Sequence, residues 1–222
     1  MQQRPRQARY ATELRAKGWL LAGLSVGICV PYFSLQRARF FPPFEPPATP
    51  IDAAIPFAAA WVWSYASLFA LVPLSVLLCS TRRQVAAFAR GLAWLCLPCF
   101  VAFLLFPSAG PRPPEAASAS SLGWLMAVDT RWNAFPSLHA GLTLFCLLAA
   151  RRVFGAGLSG TRRRLWDAAS LLWGGVILFG ALASKQHWFV DLVAGGALGV
   201  FAWARACAAH EQGDPGAARP DH

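Results

Sequence analysis

Six apolar stretches recur along the whole chain, each close to the roughly 20 residues that a helix needs to cross a lipid bilayer. The chain is 56% hydrophobic and 14% charged, which leaves too few polar residues to cover a soluble domain of 222 residues. Backbone groups in lipid must find hydrogen-bond partners within their own segment, so each span is expected to be a helix. The predicted spans are residues 18–36, 54–79, 85–106, 135–153, 166–184 and 188–207. The sequence therefore predicts an all-α integral membrane protein, a six-transmembrane-helix bundle that forms one domain over residues 1–207.

The distribution of positive charge predicts how the bundle is oriented. Fifteen of the twenty Lys and Arg residues lie in or beside the basic segment 1–17, the loops after spans 2 and 4, and the C-terminal segment. The positive-inside rule therefore places both termini in the cytoplasm, where residues 208–222 are expected to form a disordered tail. Nucleic-acid binding is the competing explanation for a net charge of +10. Because the charge is spread over four short segments, a topology signal is favoured and no nucleic-acid partner is expected.

Ionisable side chains collect at the non-cytoplasmic end of the predicted bundle. Outside the tail, the sequence contains two histidines, His139 and His187, at the beginnings of spans 4 and 6. Asp191 follows His187 by four residues, which places both side chains on one face of a helix. A carboxylate bonded to one imidazole nitrogen fixes the tautomer and makes the other nitrogen the better nucleophile. Alternatively, the two groups only satisfy each other at a helix end.

A third segment delivers a cation to the same end. The sequence "FPSAGPRP" (106–113) follows span 3 and carries Arg112. A guanidinium beside two imidazoles and a helix N-terminus offers paired donors, free amides and a positive dipole end, which together suit a phosphate group. Ser137 in "FPSLHAG" (135–141) adds a hydroxyl and an amide. The three segments therefore predict a phosphate-binding pocket.

Together these motifs resemble the type 2 phosphatidic acid phosphatase (PAP2) superfamily. "FPSAGPRP" and "FPSLHAG" are followed by "SKQHWFVDLVAG" (184–195), in the family's order and at its expected loops, and the resemblance covers all six spans. It is closest to the inositol-phosphorylceramide-synthase-like branch, which "IDAAIPFAAAWVW" (51–63) also resembles. The resemblance implies a metal-independent enzyme without cofactors, which cleaves a lipid phosphate or pyrophosphate ester at the non-cytoplasmic face of the inner (plasma) membrane.

The resemblance also implies a role for each motif residue. His187 matches the nucleophile that forms a phosphohistidine, and Asp191 matches the acid that orients it. His139 matches the general acid that protonates the leaving oxygen. Arg112 and Ser137 match groups that hold phosphate oxygens.

Two cations of the family pattern are absent from this sequence. Leu105 stands where the family has a lysine, and Ala181 stands where it has an arginine. Lys185 and Arg131 are predicted to lie on the same side of the membrane, and we expect at least one of them to bind phosphate instead. The synthase-like branch often lacks these cations too, which weakens the case for water as the acceptor.

Three interpretations remain open from the sequence. A lipid phosphatase would transfer the phosphoryl group to water, and a lipid phosphotransferase would transfer the phosphoryl-headgroup to an alcohol. A transporter or scaffold would keep only a phosphate-binding pocket, but a nucleophile, an orienting acid and a proton donor together favour an enzyme. The expected partners are a lipid phosphate and the membrane, with no obligatory protein partner.

Three residues without a role in the proposed chemistry lead to predictions about packing. Asp52, at the start of span 2, can cap that helix or line the site. Gly195 and Gly199, four residues apart in span 6, are expected to let a neighbouring helix pack closely.

Overall fold

A computed structural model of the protein describes residues 6–38 and 40–212, and over those residues it is built from helices. The α-helices are α1 (Arg6–Arg37), α2 (Pro50–Ala54), α3 (Val62–Ala66), α4 (Leu68–Leu78), α5 (Arg82–Leu105), α6 (Ser120–Val128), α7 (Leu138–Val153), α8 (Gly160–Ala183) and α9 (Phe189–Gln212). Short 3₁₀ turns at Ala59–Trp61, Pro114–Ser118 and Gly155–Gly157 connect some of them.

Six helical segments among the described residues are long and apolar enough to cross a membrane. They are Leu14–Arg37, Ala59–Leu78, Arg82–Leu105, Leu138–Gly157, Gly160–Ala183 and Phe189–Cys207. Each overlaps one predicted span, which confirms the prediction of an all-α bundle with six candidate spans. The second differs in detail, because it consists of a 3₁₀ turn, α3 and α4, and contains Pro73, which cannot donate a helical hydrogen bond. In the predicted tail 208–222, α9 continues to Gln212, and residues 213–222 lie outside the described residues, as do residues 1–5 of the basic segment.

Helix α7 lies at the centre of the bundle. It packs against α4, α5, α8 and α9, and a larger share of it is buried than of any other candidate span in the described chain. Helix α1 packs mainly on α5 and lies at the periphery. The central position of α7 means that a side chain in its first turn is enclosed by several other helices.

Helices α7 and α9 approach so closely that their backbones are in contact. A Cβ atom at Gly195 would overlap the Ser137 carbonyl, and one at Gly199 would overlap the Gly141 carbonyl. The prediction that Gly195 and Gly199 allow close helix packing is therefore confirmed. Because α7 and α9 both begin at this contact, the residues before and within their first turns are also brought together.

Three loops join at the same end of the bundle, which we call the histidine end because His139 and His187 lie there. Backbone hydrogen bonds connect Phe44 with Pro107 and Ala109, and Gly110 with Arg131. A Cβ atom at Gly110 would lie 2.5 Å from the backbone oxygen of Gln186, so only glycine lets this loop pass so close to the residue before His187. The loop that carries Arg112 is thereby held against the start of α9.

Candidate active site

A cavity of about 180 Å³ lies at the histidine end, between α1, α3, α4, α6 and α7. Most of its wall is apolar, with hydrophobic side chains from each of these helices. The residues that contribute polar groups to the wall are Tyr32, Tyr65, Asp129, Asn133, His139 and His187. Both histidines found in the sequence analysis therefore face one enclosed space.

His187 lies in the turn before α9 and is buried. Its Nδ1 is 3.1 Å from the carbonyl oxygen of Ala134. A carbonyl can only accept a hydrogen bond, so Nδ1 carries the proton and the lone pair of a neutral ring lies on Nε2. A neutral imidazole held in this way has its nucleophilic nitrogen at Nε2. The sequence analysis missed Ala134, because a backbone acceptor leaves no side-chain signal in a sequence.

Asp191 is fully buried beside His187 and caps α9. Its Oδ2 accepts a hydrogen bond of 2.8 Å from the backbone N–H of Trp188, and it lies 3.6 Å from Nδ1 of His187. The contact with the imidazole is thus electrostatic, while the shorter contact to Nδ1 is made by Ala134. Asp191 fixes the turn that presents His187 and places a carboxylate where positive charge on the ring would be stabilised.

His139 is the second residue of α7, and its ring lies near that of His187 in the wall of the cavity. The two ring centroids are 6.5 Å apart. The His139 ring stacks on Tyr65 at a centroid distance of 3.7 Å and an interplanar angle of 9°, which fixes its orientation. Its Nε2 is buried without a hydrogen-bond partner. One tetrahedral phosphoryl group can contact both rings at this separation, since a hydrogen bond to each nitrogen spans about 2.8 Å.

Ser137 is the N-cap of α7 and is buried between α7 and α9. Its Oγ accepts a hydrogen bond from the N–H of Ala140, and its own N–H donates to the backbone oxygen of Asp191. The hydroxyl is therefore used to begin the helix and does not line the cavity. What Ser137 does provide is the start of α7, whose first amides have no partner within the helix and can face an anion.

Arg112 is held against the residue that precedes His187. Its Nε and Nη2 donate to Oε1 of Gln186 at 3.1 and 2.6 Å, and its Nη1 donates to the backbone oxygen of Asp129 at 2.7 Å. The guanidinium is nearly buried and does not itself line the cavity. Gln186, which the sequence analysis also missed, thus links Arg112 to the turn that carries His187.

The two cations expected to substitute for missing family cations are engaged elsewhere. Nζ of Lys185 donates to the backbone oxygens of Asp52 and Ile55, at 2.7 and 2.6 Å. Arg131 forms an ion pair with Glu45 on the surface. Neither side chain lines the cavity. Nearby acceptors on α2 and on the loop after α1 satisfy these cations, and sequence position alone could not reveal those contacts.

Asp52 caps two helices. With Thr49 it forms the capping box of α2, a short helix that precedes the second span, so it caps a neighbouring helix and not, as predicted, the span itself. Its Oδ1 also accepts a hydrogen bond of 2.8 Å from the N–H of Phe189, in the first turn of α9. Asp52 therefore helps to position the helix that follows His187.

Comparison with protein families supports the resemblance seen in the motifs. Residues 34–205 match the family model described as the PAP2 superfamily. The chain belongs to the PAP2 superfamily. None of the curated proteins and none of the solved structures matches the chain. Membership of this superfamily, which generally contains phosphatases, suggests phosphatase-type activity, and the six candidate spans suggest a membrane protein.

This PAP2 chain has an apolar residue at each of the two positions where the family has a cation. Leu105 is an exposed residue at the end of α5, and Ala181 is buried in α8. Of the charged groups at the histidine end, Asp191 lies 3.6 Å from Nδ1 of His187, and Arg112 forms an ion pair with Asp129. The histidine end therefore carries less positive charge than the PAP2 motifs lead one to expect.

Asp129 also lines the cavity, and the sequence analysis missed it. It is buried, and its Oδ1 accepts hydrogen bonds from Tyr32 Oη and Gln36 Nε2 of α1. Its Oδ2 is 3.9 Å from Nη2 of Arg112. Burial raises the pKa of the Asp129 carboxyl above its usual value, and the Arg112 guanidinium partly opposes that rise.

Asn133 lies on the same wall as Asp129. It is 1% exposed and adopts a positive φ of 63°, a conformation that asparagine tolerates better than most residues. Its Nδ2 donates to the backbone oxygen of Tyr32, which fixes the orientation of the amide. Its Oδ1 is buried without a hydrogen-bond partner. Asp129 and Asn133 thus add hydrogen-bond acceptors to the wall of the cavity that the two imidazoles also line.

Proposed function

We propose that this protein is a lipid phosphatase that cleaves a phosphate or pyrophosphate ester of a lipid through a phosphohistidine on His187. The observation that carries the proposal is the pair of imidazoles, 6.5 Å apart between ring centroids and facing one cavity. The contact between Ala134 and His187 supports Nε2 as the attacking atom. Membership of the PAP2 superfamily supports phosphoryl chemistry at this place.

In the first half-reaction, Nε2 of His187 attacks phosphorus and the bond between phosphorus and the leaving oxygen breaks. The leaving oxygen takes a proton from His139 as the bond breaks. Asp191, 3.6 Å from Nδ1 of His187, stabilises the positive charge that the ring gains. The products of this step are a phosphohistidine and the free lipid alcohol, or the lipid monophosphate when the substrate is a pyrophosphate.

In the second half-reaction, water attacks the phosphorus of the phosphohistidine. The water gives up a proton to His139, the bond between phosphorus and Nε2 breaks, and inorganic phosphate leaves. His139 thereby regains the proton that it lost in the first step. The cycle uses protein groups alone to move protons, without a metal ion or another cofactor.

Negative charge on the phosphoryl oxygens is stabilised by Arg112 and the first amides of α7. Arg112 reaches the phosphate by exchanging part of its contact with Gln186 and Asp129 for the substrate oxygens. Lys185 and Arg131 are assigned no part in this step, because both are held by other acceptors outside the cavity.

The apolar part of the cavity suits the hydrocarbon chain of the substrate. Its wall includes hydrophobic side chains of α4 and α6 that are exposed on the surface of the helices, Phe69, Trp124 and Val128. A lipid chain can therefore remain between helices in the bilayer while its phosphoester meets the histidines. With both termini in the cytoplasm, as the positive-inside rule indicates, the histidine end faces the other side of the inner (plasma) membrane.

A phosphotransferase reaction on a phosphodiester lipid is the second candidate, and the low positive charge of the site favours it. A phosphomonoester carries up to two negative charges and a phosphodiester one. A site that lacks cations at Leu105 and Ala181 and has Asp129 in its wall suits the less charged group. An alcohol would then replace water in the second half-reaction, as in the synthase-like branch that the motifs resemble.

Turnover of a panel of lipid phosphates by purified protein in detergent micelles tests the proposal. Inorganic phosphate release supports the phosphatase, and a new lipid with the transferred headgroup supports the phosphotransferase. His187→Ala is expected to lower either rate by on the order of 10⁴-fold or more, as removal of a nucleophile does. His210→Ala, near the other end of α9, is the matched control. Full turnover by folded His187→Ala would refute the mechanism.

A further inference from the structure

The mechanism leaves two acceptor atoms in the cavity wall without a function. Oδ1 of Asn133 is buried and has no hydrogen-bond partner. Both hydrogen bonds to the Asp129 carboxylate end on Oδ1, and the Arg112 guanidinium lies 3.9 Å from its Oδ2. Oδ1 of Asn133 is therefore a buried acceptor without a donor, which is unfavourable and indicates that a bound group supplies the donor. Oδ2 of Asp129, which forms the long ion pair with Arg112, is a second acceptor open to such a group.

The positions of the two residues are fixed independently of any ligand. Tyr32 and Gln36 donate to Asp129 from α1, and the backbone oxygen of Tyr32 accepts from Nδ2 of Asn133. Neighbouring donors therefore hold Asp129 through Oδ1, and the Asn133 amide has its oxygen turned away from Tyr32. This arrangement leaves an acceptor of each side chain for a group that enters the cavity.

The charges around the wall favour a neutral donor over a cation. Arg112 already provides a positive charge next to Asp129, and it also donates to the Asp129 backbone oxygen. A second cation would meet repulsion from Arg112, whereas a hydroxyl can donate to the carboxylate without adding charge. A phosphate group has no place on this wall, because its oxygens would face a carboxylate and an amide oxygen.

We propose that Asp129 and Asn133 form a subsite that binds a hydroxyl group of a substrate, held beside the phosphorus that His187 attacks. The proposal rests on the proposed function for the position of the phosphorus. The ligand is the hydroxyl of a polyol, either on the lipid whose phosphoester is cleaved or on an alcohol that accepts the phosphoryl group. In both cases the hydroxyl donates to the pair of acceptors formed by Oδ2 of Asp129 and Oδ1 of Asn133, and both are needed for binding, while the phosphoryl group lies between the imidazoles.

Binding to a protein that cannot turn over tests the subsite directly. The parent is His187→Ala, and the probes are hexanoyl lysophosphatidate and its 2-deoxy analogue, which differ by one hydroxyl beside the phosphoester carbon. The parent is expected to bind the hydroxylated probe about 10-fold more tightly than the 2-deoxy probe. This is the change in affinity expected when one hydrogen bond to a charged group is lost. Adding Asp129→Asn is expected to reduce the ratio to about 1–3, because the charged acceptor Oδ2 is replaced by a neutral amide N–H₂ that can only donate.

A matched acid at the other end of the bundle provides the control. Asp167 forms ion pairs with Arg151 and Arg163, far along α8 from the cavity. Asp167→Asn is expected to keep the 10-fold ratio. A general loss of stability or of Arg112 alignment would weaken binding of both probes together, so the ratio separates a hydroxyl contact from a structural role.

A second arm distinguishes the two sources of the hydroxyl. Wild-type protein is given a lipid phosphate together with glycerol or propan-1-ol, and phosphoryl transfer to each alcohol is compared with release of inorganic phosphate. A preference for glycerol that Asp129→Asn removes assigns the subsite to the acceptor. A preference seen only between the two phosphoester probes assigns it to the donor lipid.

The two proposals fail in different ways. If the wild type shows no turnover that depends on His187, the proposed function is refuted, but the binding ratio of the two probes can still be measured. Equal binding of both probes by the parent, with no preference for glycerol where turnover exists, would refute the subsite. A ratio that persists in folded Asp129→Asn would also refute it. Where thermal unfolding shows that Asp129→Asn does not fold, Asn133→Gly replaces it, because glycine accepts the positive φ of 63°.

Discussion

One part of the cavity wall, the histidine wall, carries His139 and His187 at the beginnings of α7 and α9, where glycine lets the two backbones touch. Another part, the Asp129 wall, carries Asp129 and Asn133 on a loop after α6, which side-chain and backbone groups of the peripheral helix α1 hold in place. The first wall is fixed by backbone packing and helix caps, the second by a few polar contacts between elements distant in the sequence. On the proposed function and the proposed hydroxyl subsite, the histidine wall would provide the chemistry and the Asp129 wall the selectivity.

The largest effect in this comparison is expected from removing the proton donor on the histidine wall. His139→Ala should lower turnover by about 10²–10⁴-fold, the usual contribution of a general acid. With p-nitrophenyl phosphate, whose leaving oxygen needs no proton, the loss in the first half-reaction should be much smaller. Measuring the burst and steady-state rates of wild type and His139→Ala with both substrates tests this expected difference. An equal loss of the burst rate for both substrates would contradict the role of His139 as the acid.

The next largest effect is expected from disturbing the contact between α7 and α9. Gly195→Ala places a Cβ atom against the Ser137 carbonyl, and such overpacking costs about 1–3 kcal/mol. Thermal unfolding in detergent should shift downward and turnover should fall, because both histidines depend on this contact. Gly175→Ala, in open space on α8, is the control and should do neither. Unchanged unfolding of Gly195→Ala would show that the two backbones are not in contact.

A smaller effect is expected from the Asp129 wall. Tyr32→Phe removes one donor to Asp129 and keeps the ring packed on Phe103, so stability should fall by about 1 kcal/mol. Turnover with a substrate that has no hydroxyl beside its phosphoester should change by less than about 3-fold, since its phosphate does not touch this wall. A loss comparable to that of His139→Ala would mean that the Asp129 wall takes part in the chemistry.

The smallest effect is expected from Arg131→Ala. Its guanidinium pairs with Glu45 on the surface, and exposed ion pairs contribute about 0.2–1 kcal/mol. Steady-state turnover should stay within about 2-fold of the wild type. A fall of 10-fold or more in kcat would restore the expectation from the sequence that Arg131 substitutes for a missing phosphate ligand.

The fold could be predicted well from the sequence because lipid imposes simple rules on length and hydrophobicity. The six candidate spans and the close packing at Gly195 follow from composition and from the spacing of small residues. The break between α3 and α4 was not predicted, since an apolar run does not reveal where a helix is interrupted. The convergence of His139 and His187 could be predicted, because both stand at span ends that the topology places on one side.

Contacts made by backbone atoms and by residues of long loops could not be predicted. Ala134 binds His187 through a carbonyl oxygen, which every residue type has. Asp129 faces the histidines only because a 3₁₀ turn and α6 fold the loop back over α1. Lys185 was expected to bind phosphate on the basis of charge and side, yet carbonyl oxygens of α2 hold its ammonium group. The position of a cation in the sequence predicts its side of the bundle. Whether the cation is available to bind phosphate depends on which carbonyl or carboxylate oxygens lie near it in the fold.

A single-turnover experiment with a lipid phosphate labelled with ³²P at the phosphoryl group tests the central claim most directly. Quenching in alkali preserves phosphohistidine, and proteolysis followed by mass spectrometry locates the modified peptide. The account predicts transient labelling of the peptide that contains His187, with none in His187→Ala. Rapid phosphate release by the wild type without any protein-bound label, or with label on another residue, would contradict it.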